Sequence, residues 1–349
     1  MSSSGDFIIE NGVLKKYIGP GGDVVIPKGV TQIGGSAFEG NTALISVTVP
    51  DSVTFIYGGA FAGAFRGCSN LKKLVLPDSK VFIGEDAFKD CPALADENGL
   101  VIFNARLFEC YGNGGFVTVP EGVTDICGAF FENSSVTGVQ LPESTAASLT
   151  GREFYHCSNL EMIRLPEGMR RIPPYLFEGC GKLKELHLPD SVTAMDINAV
   201  EGCHSLKYIA GPNVTEIREV KAENPLCLRG GPLVMVCPQM PLHGVYRPVL
   251  KNRLTLGFFG NQELYAPQIA EEYRKYACRD RLYLLPDVFR LDLVQALDFY
   301  DRNKKIKPKD FEKEWLEPAE KAGAVQCKAW LLDWRSRHKP KKDPFELSL

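Results

Sequence analysis

A proline that returns about every 23 residues constrains the fold of this chain more than any other feature. Seven of these prolines follow one or two apolar residues, an eighth follows a degraded copy of the motif, and the intervals between them are 23, 27, 43, 22, 24, 23 and 23 residues. The eight prolines are Pro27, Pro50, Pro77, Pro120, Pro142, Pro166, Pro189 and Pro212. A period of this length predicts a stack of units, because one unit alone cannot bury its apolar side chains.

A second set of positions keeps the register of the prolines. Nine residues before six of the prolines stands a cysteine or an asparagine, and a further cysteine holds this place in the 43-residue interval. A phenylalanine, once replaced by Val200, comes three residues earlier. The shared positions are Asn41, Cys68, Cys91, Asn133, Cys157, Cys180 and Cys203. Because cysteine and asparagine share a small side chain that hydrogen-bonds near turns, we predict a buried structural ladder that satisfies loop carbonyls and amides.

Each unit is predicted to contribute one short β-strand that ends at its proline, because proline offers no N–H to a sheet. Alternation along a strand points the residues one and three positions before the proline inward. It points the residues two and four positions before the proline outward. Stacked strands of this kind predict a solenoid with one continuous β-sheet face.

The repeat resembles the BspA-like class of bacterial leucine-rich repeats over roughly residues 7–215. Pairs typical of that class are Val53-Thr54, Val123-Thr124 and Val192-Thr193 after the proline, and Ala37-Phe38 and Ala87-Phe88 before the cysteine or asparagine position. The insertion around Gly58–Gly63, the valine at 200 and the degraded motif at Pro212 depart from the pattern. The resemblance implies a leucine-rich-repeat fold and a role in adhesion or interaction, since BspA-like proteins are often surface binders.

Two segments of the chain echo each other and predict β-hairpins. The stretch that ends at Pro27 and the stretch that ends at Pro120 both alternate apolar residues around a short glycine turn. We assign residues 1–27 to an N-terminal hairpin cap, which a solenoid needs in order to cover its first unit. Residues 28–223 are assigned to the repeats, with a hairpin insertion at about 96–117.

The repeat ends near residue 224. Residues 224–257 are rich in proline and glycine and predict a linker or docking segment. Residues 258–349 follow a helical period and predict a small all-α domain, which makes the chain α+β. The predicted helices begin at Pro267 and at Asp287 and cover Asp310–Lys321, interrupted at Pro318, and Ala324–His338. Residues 319–323 and 329–333 are similar to an ankyrin-like helical hairpin.

Composition argues against two classes of protein. Mean hydropathy is −0.10, and no apolar run has the ~20 residues of a membrane helix, so we predict no membrane insertion. Residues 1–225 carry 18 basic and 27 acidic side chains and residues 226–349 carry 22 and 16, so we predict no nucleic-acid partner. The first residues lack a signal peptide. The location therefore stays open between a secreted or cell-surface protein whose leader was removed and a cytoplasmic protein.

The eleven cysteines form no CxxC motif and no Cys/His cluster with zinc spacing, so we predict no metal, no cofactor and no catalytic residue. A disulfide between Cys227 and Cys237 stays an alternative. Cys278-Arg279-Asp280 is similar to the Cys-x-Asp motif of bacterial effector ubiquitin ligases, and a neighbouring arginine lowers a thiol pKa. Only about 90 helical residues follow the repeats, too few for that domain. An enzyme acting through Cys278 is thus a remote alternative.

Outward positions of the predicted strands supply the candidate binding residues. Four residues before a proline stand Phe116, Met162, Glu185 and Tyr208, and two residues before a proline stand Arg164 and His187. Apolar side chains exposed on a regular sheet mark interaction surfaces. We predict a monomeric, non-enzymatic binding or adhesion module that recognises a protein or glycan partner. The alternative is an intracellular scaffold, which unpaired thiols and the missing leader favour.

Overall fold

The computed structural model of the chain describes residues 4–59, 61–77, 80–112, 114–218, 234–245 and 247–338. The chain divides into two compact units. The first unit comprises Met1–Leu206 and Arg218–Gly231, and the second comprises Lys207–Ile217 and Pro232–Leu349. Most of the repeats lie in the first unit, and the α-helices lie in the second.

Short β-strands of two to five residues run through the repeats. In chain order the strands are β1 (Phe7–Glu10), β2 (Val13–Tyr17), β3 (Gly22–Val25), β4 (Gln32–Ile33), β5 (Leu44–Thr48), β6 (Phe55–Ile56), β7 (Gly58–Gly59), β8 (Ala62–Gly63), β9 (Lys73–Val75), β10 (Phe82–Ile83), β11 (Leu100–Phe103), β12 (Arg106–Cys110), β13 (Phe116–Thr118), β14 (Asp125–Ile126), β15 (Gly138–Gln140), β16 (Met162–Arg164), β17 (Arg171–Ile172), β18 (Glu185–His187), β19 (Ala194–Asp196), β20 (Tyr208–Ala210), β21 (Glu216–Arg218) and β22 (Val234–Val236).

A typical repeat unit consists of two short strands and a turn. The first strand precedes the proline, as β5 precedes Pro50, and the second lies in the stretch that follows it, as β6 does. Strands such as β16 and β18 place one buried residue between two exposed ones. The buried residue is the one three positions before the proline, as Ile163 and Leu186 are. The predicted inward and outward positions are therefore confirmed on these strands.

Buried phenylalanine rings from the turns form a column through the stack. Ring centroids are 5.0 Å apart for Phe38 and Phe65 and 5.1 Å apart for Phe130 and Phe154. Phe177 continues the second column at 5.8 Å from Phe154. Burial of one large ring per turn supplies the shared core that an isolated unit lacks. The solenoid followed by an all-α region confirms the predicted fold class.

The two predicted hairpins are present and share one register. β1 pairs with β2, and β11 pairs with β12, in antiparallel fashion with a bulge at the equivalent position. Every paired residue of the second hairpin lies 93 positions after its counterpart in the first. The two hairpins differ on the side toward a preceding unit. Phe103 and Phe108 contact the ring of Phe88 there, whereas their counterparts in the first hairpin are the exposed residues Glu10 and Lys15. The cap role of the first hairpin stays a prediction.

The sheet face differs from the single continuous face that the repeat predicts. Among the described residues, the pre-proline strands form one sheet of β3, β5 and β9 and a separate sheet of β13, β15 and β16, and β18 belongs to neither. The long interval between Pro77 and Pro120 explains the gap between β9 and β13, because the second hairpin occupies the chain where another pre-proline strand would stand. The buried core nevertheless continues past the gap, from Phe88 to Phe108.

The α-helices of the second unit are connected by short loops. They are α1 (Pro248–Phe259), α2 (Pro267–Arg279), α3 (Arg281–Arg290), α4 (Val294–Arg302), α5 (Glu317–Lys321) and α6 (Val325–Arg337). A π-helical turn at Glu312–Leu316 leads directly into α5. Single 3₁₀ turns lie at Ser4–Asp6, Glu85–Phe88, Pro92–Leu94, Glu143–Thr145, Ile197–Val200, Leu242–Gly244, Gln262–Leu264 and Pro308–Asp310. Within the same unit, β20 pairs in parallel with β22.

The helices follow the sequence prediction with two differences. Helices begin at Pro267 and at Val325, within one residue of the prediction. The helix predicted from Asp287 onward is instead the end of α3 and the start of α4, because Asp292 adopts a left-handed φ of 52° that ends a helix. A further helix, α1, lies in the range expected to be a linker. Its Pro248 is the first helical residue, a position that proline favours.

Candidate functional site

Two of the predicted binding residues lie on the two outer strands of one three-stranded sheet. Phe116 on β13 and Met162 on β16 both pair with Gly138 on the intervening strand β15. About half of each side chain is exposed, 46% for Phe116 and 48% for Met162. A Cβ atom added to Gly138 would lie 2.5 Å from the Phe116 ring. The ring of Phe116 therefore lies across the bare backbone of β15 and reaches toward Met162.

Charged side chains border these two apolar residues. The guanidinium carbon of Arg164 lies 6.0 Å from the centre of the Phe116 ring, and its Nη1 donates to Oε1 of Gln140 at 3.3 Å. On β18, Nε2 of His187 lies 3.3 Å from Oε2 of Glu185. The His187 and Glu185 side chains are about two-thirds exposed, at 67% and 64%. Both signs of charge thus occur within one small area.

A groove of about 730 Å³ runs between β16 and β18. Its lining residues are Glu161, Met162, Ile163, Arg164, Leu165, Glu167, Lys184, Glu185, His187, Leu188 and Pro189. Nζ of Lys184 donates to Oε2 of Glu161 across the groove at 2.6 Å. We call Phe116, Met162, Arg164, Glu185 and His187 the strand patch. The structure thus gathers five of the six residues selected from the sequence.

The sixth residue, Tyr208, belongs to the second compact unit. It lies half-buried on β20, where it pairs with Val234 of β22. The sequence pattern placed it with the other outward residues because the proline period continues to Pro212. The tertiary structure assigns that last strand to the helical unit instead.

The cysteine ladder makes a repeated hydrogen bond. Each ladder thiol donates to the backbone carbonyl of the phenylalanine in the preceding unit. The Sγ–O distances are 3.1 Å for Cys68 to Phe38, 2.9 Å for Cys91 to Phe65, 2.7 Å for Cys157 to Phe130, 3.1 Å for Cys180 to Phe154 and 3.1 Å for Cys203 to Phe177. Asn133 replaces the thiol with an amide, whose Nδ2 donates to the Cys110 carbonyl at 2.8 Å. Each phenylalanine carbonyl also accepts the backbone N–H of the residue three positions later, as Phe130 does from Asn133 at 3.0 Å, so the thiol is its second donor.

Cys180 and Cys203 are poorly suited to redox or metal chemistry. Burial raises the pKa of Cys203 to about 12, and the hydrogen bond of the Cys180 thiol with Cys157, together with burial, raises the pKa of Cys180. A side-chain hydrogen bond with Cys91 instead lowers the pKa of Cys68. A thiol needs its ionised form to act as a nucleophile or metal ligand. Within the described ranges, no three His, Cys, Asp or Glu side chains come together as a metal site requires.

Cys278, the residue behind the enzyme alternative, is partly buried on α2. Burial raises its pKa, and the opposing effects of Lys305 and Arg281 are smaller. An activated nucleophile has the opposite shift. The other alternative, a disulfide between Cys227 and Cys237, falls outside the described residues because Cys227 does.

One exposed aromatic surface escaped the sequence analysis. Phe55 and Phe82 stack at 5.4 Å on the second strands of their units. Tyr57 and Phe61 lie nearby in sequence, and Phe61, at the tip of the β7–β8 hairpin, is 96% exposed. The outward position on these strands holds Gln32 and Asp125 in other units. Phenylalanine at this position, beside a four-residue insertion, is the sequence signal that points to the surface.

None of the helices in the described part of the chain has the length and apolar character needed to cross a bilayer. Comparison with protein families matches residues 20–96 and 101–222 to the model of the BspA type leucine rich repeat region, in six copies. These ranges cover more than half of the chain. The comparison with curated proteins found no match.

Several solved structures are similar to this chain. A leucine rich cell surface protein from Faecalibacterium prausnitzii is 19% identical, and the match covers 64% of this chain and 95% of that one, with a TM-score of 0.33. A leucine-rich repeat protein from Bacteroides ovatus is 24% identical over 67% of each chain, with a TM-score of 0.31. The pneumococcal vaccine antigen PcpA is 17% identical over 66% of this chain and 76% of its own, with a TM-score of 0.33.

Proposed function

Because this chain belongs to the BspA-type leucine-rich repeat family, we propose that it is a binding module that recognises a protein partner through the strand patch. The role is non-enzymatic: the repeats provide a rigid surface, and outward side chains provide the contacts. Leucine-rich repeats offer many equivalent outward positions, so the choice of side chains at those positions determines what is bound.

The observation that carries the proposal is the exposure of Phe116 and Met162 beside the groove of about 730 Å³. Elsewhere in the chain the same position before a proline holds Asp23, Ser46 or Lys73. Aromatic residues, methionine and arginine are enriched in the buried centres of protein interfaces, and the strand patch contains all three. An apolar centre with a charged rim is the arrangement that interfaces use.

The charges favour a protein over a glycan as the partner. Arg164, Lys184 and His187 alternate with Glu161, Glu167 and Glu185 around the groove. A polypeptide brings charges of both signs together with apolar side chains, and complementary pairs give it orientation. A neutral sugar offers hydroxyl groups and no carboxylate to pair with Arg164, whose Nη1 donates to the uncharged side chain of Gln140.

A second candidate, an intracellular scaffold, has one observation in its favour. The ten cysteines within the described residues are all unpaired, which suits a reducing compartment. Both candidates use the same surface and differ in where the protein is found. Fractionation of cells that express the chain from its native gene separates them.

Site-specific photo-crosslinking tests the proposal. A photoreactive residue is placed at His187 in the strand patch and, as a matched control, at Val25, an outward residue two positions before a different proline. We expect one identified protein to be crosslinked from position 187 and not from position 25. The double substitution Phe116→Ala with Met162→Ala should weaken binding of the purified partner at least tenfold, whereas Val25→Ala with Val75→Ala should not.

Two results would count against the proposal. Equal crosslinking from both positions would mean that the patch is not the binding surface. Binding to a glycan array that depends on Phe116, without a protein crosslink, would replace the protein partner by a sugar.

A further inference from the structure

A groove of about 590 Å³ lies on the second compact unit. Residues of α3 line one side of it, and residues of the π-helical turn and α5 line the other. The lining residues are Leu282, Leu285, Pro286, Phe289, Lys313, Glu314, Pro318, Lys321 and Ala322. The four from α3 recur at the i, i+3, i+4 and i+7 spacing of one helix face. Two helical walls with an apolar stripe are the arrangement that accepts an amphipathic helix.

The centre of the groove is apolar. Leu285 and Phe289 are buried in the core of this unit, whereas Leu282 beside them is 60% exposed. On the other wall the lining includes Pro318 and Ala322, whose short side chains leave the space between the walls unfilled. A large exposed apolar side chain next to an apolar floor marks an interaction surface.

The rim of the groove is positively charged. Lys313 and Lys321 are both exposed, and neither forms an ion pair with another described residue. The acidic residue of the lining, Glu314, accepts from Nη2 of Arg281 at 2.7 Å, so its charge is already compensated. A ligand in the groove therefore meets apolar side chains at the centre and unpaired cations at the edge.

We propose that this groove binds an amphipathic helix of a partner protein that presents leucines or similar apolar side chains flanked by acidic residues. The apolar face of that helix covers Leu282, and its carboxylates pair with Lys313 and Lys321. The charge of this part of the chain favours the same partner, since residues 226–349 carry 22 basic and 16 acidic side chains. The chain thus has a binding surface on its helices in addition to the strand patch.

Fluorescence anisotropy with two labelled, helix-stabilised peptides tests this site on the full chain. Both peptides carry leucines at the i, i+3, i+4 and i+7 spacing, and the flanking residues are glutamates in one and lysines in the other. The glutamate peptide should bind about tenfold more tightly, since it gains ion pairs where the lysine peptide meets repulsion, and its affinity should fall as salt is added. Equal affinities, or no binding of the glutamate peptide, would overturn the proposal.

Charge reversal at the rim locates the binding. Lys313→Glu with Lys321→Glu should weaken binding of the glutamate peptide about tenfold and strengthen binding of the lysine peptide. Lys275→Glu with Lys304→Glu is the matched control, because these two lysines are exposed in the same unit and do not line the groove. An equal loss in the control pair would show that the peptide responds to net charge alone, which contradicts a specific groove.

A substitution in the apolar wall tests the centre of the groove. Leu282→Glu places a charge against the leucines of the peptide and should weaken binding about tenfold. Leu264→Glu, at a leucine of similar exposure (53%) outside the lining, should have little effect. Because both leucines are exposed, far-UV circular dichroism should show unchanged helix content in both variants. Equal binding by the two variants would refute the contribution of the apolar wall.

Two other occupants give different results. Sedimentation that shows self-association dependent on Leu282 would assign the groove to a second copy of this chain. Peptide binding that appears only after deletion of residues 339–349 would assign the groove to the chain's own end. Either result would overturn the proposal of a separate partner protein.

Discussion

The substitution Cys157→Ala tests whether the thiol ladder stabilises the stack. Cys157 is fully buried, and its Sγ donates to the Phe130 carbonyl at 2.7 Å, the shortest thiol bond of the ladder. Alanine removes this donor and leaves the carbonyl with the backbone N–H of Asn133, which it accepts at 3.0 Å. The phenylalanine rings on either side restrict the access of water, since Phe130 and Phe154 are buried and only 5.1 Å apart.

The expected loss of stability has two parts. Loss of one buried hydrogen bond to a carbonyl that keeps another donor costs about 0.5–1.5 kcal/mol. Loss of the buried sulfur adds about 1 kcal/mol, comparable with removal of one buried methylene group. The free energy of unfolding of the repeats should therefore fall by about 1.5–2.5 kcal/mol. Cys157→Ser keeps a donor at the same position and should lose less than half of that amount.

Urea unfolding followed by far-UV circular dichroism measures the effect. All three tryptophans, Trp315, Trp330 and Trp334, lie in the second compact unit, so their fluorescence serves as an internal control that should change little. Cys110→Ala is the matched control, because Cys110 is buried on β12 outside the ladder. A loss for Cys157→Ala no larger than for Cys110→Ala would refute the role of the hydrogen bond.

Three further predictions follow from other parts of the molecule. Phe154→Ala removes a ring stacked between two others and should lower the free energy of unfolding by about 3–5 kcal/mol in urea. A loss near 1 kcal/mol would contradict a stabilising role of the phenylalanine column. Gly138→Ala should displace the Phe116 ring and weaken partner binding at least as much as Phe116→Ala, because the added Cβ would lie 2.5 Å from the ring. Asp292 accepts from the N–H groups of Gln326 and Cys327 at 2.9 and 2.8 Å; these bonds outweigh burial and lower its pKa. Its contribution is thus present above the unfolded pKa and lost as pH falls. Asp292→Asn, which removes the charge but tolerates the left-handed φ, should therefore cost about 1 kcal/mol at pH 7 and little at pH 2, by tryptophan fluorescence.

The sequence by itself determined the repeat and everything that depends on its register. Proline ends each strand because it lacks an N–H, and alternation then decides which side chains face the core. The buried Phe177 and Leu186 and the exposed Arg164 and His187 all follow from counting back from a proline. The equivalence of the two hairpins also follows from the sequence, because both alternate apolar residues around a short glycine turn. These features depend on contacts between adjacent units, and such contacts repeat with the period of the chain.

Only the tertiary structure decided where the repetition stops. Asp292 ends a helix through a left-handed backbone that the helical pattern does not encode, and α1 forms in a segment whose prolines and glycines indicate a linker. The interruptions of the sheet face depend on which segments meet between successive units. A periodic pattern predicts contacts between like units. A contact between unlike segments depends on packing that no single period describes.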